Sequence, residues 1–393
     1  MKVAIFTETY LPQTSAVETQ VFILAKSLKK MGHDVLVVTS DMESDECYSE
    51  QDMLFCPARP ARNVYGQKAK QRKLSRLKER LDEFNPDVIH LFTFWQVGGL
   101  GLKYALAHDL PLMTTVQKIL DPQSAFGKRK VLGIADRARY RSTFHKALAF
   151  SDHITSPSVK VCKKLRPICR NKQIRPIPLF INTELFTREA VFEEKKREAM
   201  RRRLGLGDKA GILSVGALTR ENRTETLLEN WVKAGSKLQL VLVGSGPELE
   251  NLRSKANLLG IASRVSFAGV IPHEEMNLCY HLCTAFVSAG VSDSMKAAPL
   301  EAIACGLPAI LPKESADAGL ITERVNGFLY ANSVAFLDII KNFESLDPEK
   351  ELLMKKLVSR TVETMSIENQ AKAFLKSYVI TQKQHYKRAE ELE

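Results

Sequence analysis

Short apolar runs rich in β-branched residues alternate along this chain with longer stretches whose apolar positions recur every three or four residues. That alternation is the rhythm of strand–helix–strand units. Val3 to Phe6, Val35 to Thr39, Val88 to Leu91, Leu112 to Val116, His153 to Ser156 and Arg175 to Leu179 predict one series of strands. They are nearly continuous in apolar character, as a parallel sheet covered on both faces requires. A second series is predicted at Gly211 to Val215, Leu238 to Val243, Val265 to Ala268, Ala285 to Ser288, Ala309 to Leu311 and Phe328 to Tyr330. Residues 188–207, crowded with charge, helix-prone and closing on Leu204-Gly205-Leu206-Gly207, read as a linker between domains 1–187 and 208–347. Residues 348–393 read as helix, with Leu352, Leu353, Leu357, Val362, Met365, Ala371, Phe374, Leu375 and Tyr378 forming a buried stripe and the tail from Lys383 fraying. The expected fold is α/β: two Rossmann-like doubly wound domains facing across a cleft, with a C-terminal helical segment. Open sheets of this kind bind ligands at the carboxyl ends of their strands.

Composition narrows the class. A length of 393 residues suits two domains, and 45% apolar with 26% charged residues is ordinary for a globular chain. No run approaches the roughly 18 apolar residues of a spanning helix, and the opening six residues meet Thr7 and Glu8 too soon for a signal peptide. Seven Cys without a Cys-x-x-Cys pair predict reduced thiols in a cytoplasmic protein rather than a disulfide framework or a zinc site. The net charge of +12 is uneven: residues 51 to 200 hold 29 basic and 14 acidic residues, a net of +15. Lys68, Lys70, Arg72, Lys73, Arg76, Lys78 and Arg80 form one run, and Lys128, Arg129, Lys130, Arg137, Arg139 and Arg141 another. Both read as helical, the first with Leu74, Leu77, Leu81 and Phe84 on its inner side. Such a face suits anionic lipid head groups or a solvated surface; without interleaved aromatics it does not indicate nucleic acid.

Local motifs are sparse. Val243-Gly244-Ser245-Gly246-Pro247-Glu248 follows a strand, where glycines permit a tight turn and let backbone N–H groups approach an anion. His273-Glu274-Glu275-Met276-Asn277 has Asn277 where a second zinc ligand would stand, so no metal is expected. Cys279 and Cys283 read as core.

Several segments together resemble a family. Phe6 to Gln13, Gly32-His33-Asp34-Val35, Pro86-Asp87-Val88-Ile89-His90, Ser156-Pro157-Ser158, Val215-Gly216, Val243 to Glu248, Val265 to Gly269, Glu301 to Pro308 and Asn326-Gly327-Phe328 are similar to family 4 glycosyltransferases of the two-Rossmann (GT-B) type. The Phe6 to Gln13 opening is most similar to enzymes that glycosylate diacylglycerol at the inner membrane face. The resemblance implies retaining transfer of a sugar from a nucleotide sugar to a lipid or glycolipid, with no cofactor and no essential metal. It implies a peripheral position at the inner face of the membrane, and the clustered charge makes Lys68, Lys70, Arg72, Lys73, Arg76, Lys128, Arg129 and Lys130 the residues expected to hold it there. It assigns nucleotide-sugar binding to Gly216, Gly244, Gly246 and Glu301, the last at the ribose, and puts Asp293 and Thr114 at the catalytic positions.

Against the family pattern, Ala16 stands for a phosphate-loop glycine, Ala217 for the diphosphate Arg, Asn222 for the diphosphate Lys, and Thr114 or Thr115 and Gln117 for two His. Asp293, seven residues and Glu301 replace Glu, seven residues and Glu, and Met295-Lys296 replaces a Gln-Gly turn. Fixed cations at the leaving diphosphate should supply much of the rate enhancement. Two readings follow. Either the cations have moved, with Lys296, Arg220 or Arg223 standing in, or the protein is a non-catalytic partner of an active glycosyltransferase.

Overall fold

The computed structural model describes residues 1–8, 16–41, 44–60, 67–69, 75–119 and 131–391. Two compact units emerge, Met1–Phe180 with Ile367–Glu393, and Ile181–Ser366.

The first unit is built on β1 (Lys2–Phe6), β2 (Asp34–Asp41), β3 (Tyr48–Glu50), β4 (Met53–Pro60), β5 (Gln67–Ala69), β6 (Val88–Leu91), β7 (Leu112–Thr115), β8 (His153–Ser156) and β9 (Ile174–Pro176). Their order is β3-β4-β2-β1-β6-β7-β8-β9, with β5 against β4. From β2 and β4 through β9 neighbouring strands are parallel; β3 and β5 meet β4 antiparallel. Burial of Val3, Ile5, Val37 and Met113 on one side and of Ala4, Phe6, Leu36 and Ile89 on the other gives the sheet two cores, the condition behind its continuous apolar strands.

The second unit holds β10 (Gly211–Val215), β11 (Gln239–Val243), β12 (Val265–Gly269), β13 (Ala285–Val287), β14 (Ala309–Pro312) and β15 (Gly327–Tyr330), all parallel, in the order β12-β11-β10-β13-β14-β15. That is the doubly wound order, whose strand direction of travel reverses between β10 and β13. In the first unit the reversal falls between β1 and β6.

Four expectations need correction. Lys68 lies on β5, paired with Arg59 across β4, and not on a helix, because hairpin pairing claims it; the helix begins at Ser75 and buries Leu77 and Leu81. The last helix, Ile367–Glu390, belongs to the first unit and runs on past Lys383. It does not fray because His385 is buried with its Nδ1 3.2 Å from Asp152 Oδ2, and Arg388 reaches Asp152 Oδ1 at 2.9 Å. Ala371, Phe374 and Tyr378 pack into the first unit, where the Tyr378 hydroxyl meets His90 Nδ1 at 2.8 Å. The expected apolar stripe also breaks: Leu352, Leu353 and Leu357 are 61%, 59% and 47% exposed on helix Pro348–Arg360, which buries Val358 instead. The stripe crosses from one helix to another in a different unit, so its period has no single core to face. The segment read as a linker falls within the second unit, which starts at Ile181; its helix-prone stretch forms helix Glu194–Arg203, with Met200 buried and its Sδ 3.6 Å from Cys279 Sγ.

Candidate functional site

The second unit gathers its altered residues at the reversal between β10 and β13. The chain leaves β10 through Gly216 at φ 149°, a value strained for any side chain, and passes Ala217 and Leu218 to the turn Arg220–Asn222. β11 leaves through Gly244 at φ 135°; a Cβ there would lie 2.1 Å from the Gly216 carbonyl oxygen, and one on Gly246 2.4 Å from that of Leu218. These glycines therefore let two strand-to-helix loops touch backbone to backbone.

Into this corner comes Lys296. Its backbone is extended, φ −113° and ψ 149°, and its side chain fills the corner. Nζ donates a short hydrogen bond to Asn222 Oδ1, and Asn222 Nδ2 donates to the Ala217 carbonyl at 2.5 Å. Gly290 makes room, since a Cβ there would sit 2.8 Å from Nζ. The remaining space, beside Gly216, Leu218, Asn222 and Ser288, is about 20 Å³, enough for a water and too small for a diphosphate. Burial lowers the Lys296 pKa, opposed by longer-range attraction to Asp317 and Glu221. Asp317, buried, accepts the Lys296 backbone N–H at 2.8 Å, and its own pKa is raised to about 6 by desolvation. The structure thus joins Ala217, Asn222 and Lys296 in one hydrogen-bonded chain. Arg220 and Arg223 do not join it: they are exposed on a neighbouring groove of about 540 Å³, Arg220 paired with Glu248 at 3.2 Å.

Glu301 is 6% exposed on helix Ala297–Ala304. Both its oxygens are taken, Oε2 by the buried Tyr280 hydroxyl at 2.7 Å and Oε1 by His273 Nε2 at 2.9 Å. The carboxylate raises the His273 pKa, and burial with that same charge pushes Tyr280 far above its ordinary value. Sequence reasoning met His273 only as a failed metal motif and gave Tyr280 no role, because neither spacing signals a partner in another helix. Asp293 is half-buried in the loop before Lys296, where the neighbouring Ser292 hydroxyl donates to Glu221 Oε1 at 2.9 Å.

In the first unit Thr114 is buried, its hydroxyl 2.6 Å from Ser151 Oγ, while Thr115 bonds His90 Nε2 at 2.7 Å and Thr155 at 2.6 Å. Both hydroxyls are committed inside the core. Of the basic residues, Lys70, Arg72, Lys73, Lys128, Arg129 and Lys130 lie outside the described residues, as do the side chains of Lys68 and Ala16. Arg76, Lys78 and Arg80 each stand within ion-pair reach of an acid, Glu46, Asp82 and Glu83, at 3.7, 2.9 and 3.3 Å. Arg139, Arg141 and Lys146 are exposed along helix Val131–Phe150. At the reversal point of this unit stands Glu8, fully buried, whose oxygens accept the backbone N–H groups of Val97 and Gly98 at 3.1 Å each. It caps helix Gln96–Ala107 from outside the helix.

Residues 17–185 match the model described as Glycosyltransferase Family 4, and residues 196–356 that of Glycosyl transferases group 1. The chain belongs to the family 4 glycosyltransferases. Within the family, an alpha-monoglucosyldiacylglycerol synthase of Streptococcus pneumoniae is 27% identical over 336 residues, 84% of this chain and 75% of its own length. An enzyme of the same name from Acholeplasma laidlawii is 22% identical over 362 residues, covering 90% of each. The fold is the family's GT-B fold: Anabaena HepE in complex with UDP superposes with a TM-score of 0.72 over 96% of this chain and 99% of its own, at 15% identity.

Proposed function

We propose that this glycosyltransferase carries a sugar from a nucleoside diphosphate sugar to a lipid acceptor at an anionic membrane surface, using Lys296 as its relocated diphosphate cation. One observation carries the reading. Lys296 is half-buried at the topological switch point, and its amine is bonded to a neutral amide rather than to a carboxylate. A buried cation left with a neutral partner is electrostatically incomplete, and a diphosphate arriving at Gly216 and Ala217 supplies the missing counter-charge. Its flexible stem lets the amine swing out of the corner and make room for the phosphates. The diacylglycerol-glucosylating relatives and the UDP held by HepE support the donor and acceptor classes. On this reading Glu301 meets the ribose, Gly216 approaches the phosphates, and Asp293 faces the transferred sugar. Arg139, Arg141 and Lys146 with the neighbouring basic run hold the surface.

The second reading, a non-catalytic partner of an active glycosyltransferase, is favoured by Thr114, a buried hydroxyl that accepts from Ser151 where the family places an ionisable His. Purified protein with UDP-glucose and diacylglycerol in anionic vesicles separates the two. Glucosyl lipid formed by the wild type and lost in Lys296→Ala supports transfer through the moved cation. UDP binding without any product supports the partner reading, and neither binding nor product sinks the donor site altogether. Vesicle attachment is expected to weaken with salt, because exposed charges are screened over about 10 Å at 0.1 M; equal pelleting with neutral vesicles would remove the membrane role.

A further inference from the structure

We propose that Cys47 and Cys56 form a peroxide-sensitive dithiol that closes a disulfide across the edge hairpin of the first unit. In the β3–β4 ladder Tyr48 faces Phe55, Ser49 faces Leu54 and Glu50 faces Met53. The next pair outward in that register is Cys47 and Cys56. Opposed residues on antiparallel strands have Cβ atoms about 4.5–5.5 Å apart, a small shift from the roughly 3.5–4.5 Å of a disulfide. Side chains alternate between faces, so Cys56 points the same way as Leu54, and both pack in one core with Cys47. Tyr48 and Phe55 stack on the other face with ring centroids 4.8 Å apart, which holds the register. Both cysteines are buried and neither is in a disulfide.

Their chemistry is unequal. A hydrogen bond from Cys56 lowers the Cys47 pKa against its burial, with the Arg76 guanidinium adding to the effect and Glu46 opposing it. Cys56 is raised well above its ordinary value by the same bond and by desolvation, with the Glu8 charge contributing. One thiol is thus set up as the attacking thiolate and the other as the reserve that resolves it. Cys279 and Cys283 are the internal contrast. They too are buried near each other, and both are pushed up to about 12 by burial, leaving no thiolate to react.

Access comes through the edge. β3 is three residues long, has no strand on its outer side among the described residues, and is exposed along its whole length, as are Asp45 and Glu46 before it. Short edge strands open at low cost, and hydrogen peroxide is small enough to enter where a bulky disulfide is not. The Cys47 thiolate attacks one peroxide oxygen, the O–O bond breaks, hydroxide leaves, and Cys47 carries a sulfenic acid. The Cys56 sulfur then attacks the Cys47 sulfur, the S–O bond breaks, and water departs with the Cys56 proton. In sum two thiols and one peroxide give one disulfide and two waters. The staple joins β3 to β4 one strand from β2, where Ser40 pairs with Cys56 and its hydroxyl donates to the Glu8 carbonyl. Oxidation therefore stiffens the sheet edge beside the first unit's switch point.

The full-length protein, treated with hydrogen peroxide, then alkylated and digested, gives the answer by mass spectrometry. The expected result is a Cys47–Cys56 linked peptide reversed by dithiothreitol, forming at least about tenfold faster than any change at Cys279 or Cys283. In Cys56→Ser, dimedone should label Cys47; in Cys47→Ser, Cys56 should stay unlabelled. Circular dichroism identifies a variant that fails to fold, in which case the paired Ala variants are read instead. Free Cys47 and Cys56 at peroxide doses that oxidise the urea-unfolded chain, or equal rates at both cysteine pairs, would overturn the proposal.

Discussion

Each unit places one ionisable side chain where its strand order reverses, and the two are treated oppositely. After β1, Glu8 is enclosed by backbone donors: Val97 and Gly98 at the head of helix Gln96–Ala107 hold its oxygens, and Thr93 Oγ1 accepts its own N–H at 2.9 Å. A Cβ on Gly98 would come 1.8 Å from the Thr93 carbonyl oxygen, so that approach needs glycine. The anion-binding position of the helix is already filled by the protein's own carboxylate. Beside β10, Lys296 has the Asn222 amide and no such enclosure. The difference teaches which corner awaits a ligand: an acid whose hydrogen bonds all come from its own fold, and which burial pushes toward its neutral form, is structural, and a cation left with a neutral partner is available.

The strongest way to break this comparison is Lys296→Ala. If its amine meets the diphosphate, UDP affinity or sugar transfer should fall by on the order of 10²-fold, the usual cost of removing one fixed donor of this kind. Isothermal titration with UDP measures it, and an unchanged affinity would make Lys296 as structural as Glu8. Moving the charge back, with Lys296→Gly, Asn222→Lys and Ala217→Arg together, should restore affinity before rate.

A smaller effect belongs to Glu8. Desolvation raises its pKa from 4.5 to about 7, outweighing the backbone hydrogen bonds that lower it. The protonated form is therefore favoured in the folded state, so the contribution to stability is complete below pH 4.5 and is lost as pH rises through about 7. The loss is on the order of 3 kcal/mol. Urea unfolding of the wild type and Glu8→Gln across that window should show a falling stability that the variant lacks; parallel curves would mean that Glu8 ionises as freely folded as unfolded.

The smallest effect sharpens the second unit. His273 occupies Glu301 Oε1, which a ribose would need. Removing the imidazole in His273→Ala should tighten nucleoside binding about fivefold, the worth of one such hydrogen bond. The His273 pKa is raised, so its protonated form persists to higher pH and grips the carboxylate; wild-type affinity should weaken as the medium becomes more acidic, and the variant's should not. Weaker binding in the variant would instead make His273 part of the ribose site.

Most of the sheet architecture was legible in the sequence, because a buried parallel strand must be apolar on both faces and a strand-to-helix loop in close contact must be glycine. All six strands of the second unit and β1, β2, β6, β7 and β8 lie where the apolar runs stand, as do Gly216, Gly244 and Gly246. The run at Arg175 to Leu179 became the shorter strand Ile174–Pro176; β3 and β5 went unread, since three-residue edge strands bury too little to leave a pattern, and β4 because Pro57 and Pro60 interrupt its apolar run. The altered phosphate residues were also visible one by one. Their joining was not: Lys296 and Asn222 are 74 positions apart, His273 and Glu301 28, and His385 and Asp152 233. Periodicity reports which face of an element is buried, and it carries no information on which distant side chain will meet a given charge. That pairing, and with it the docking of the last helix into the first unit, was decided by the tertiary fold alone.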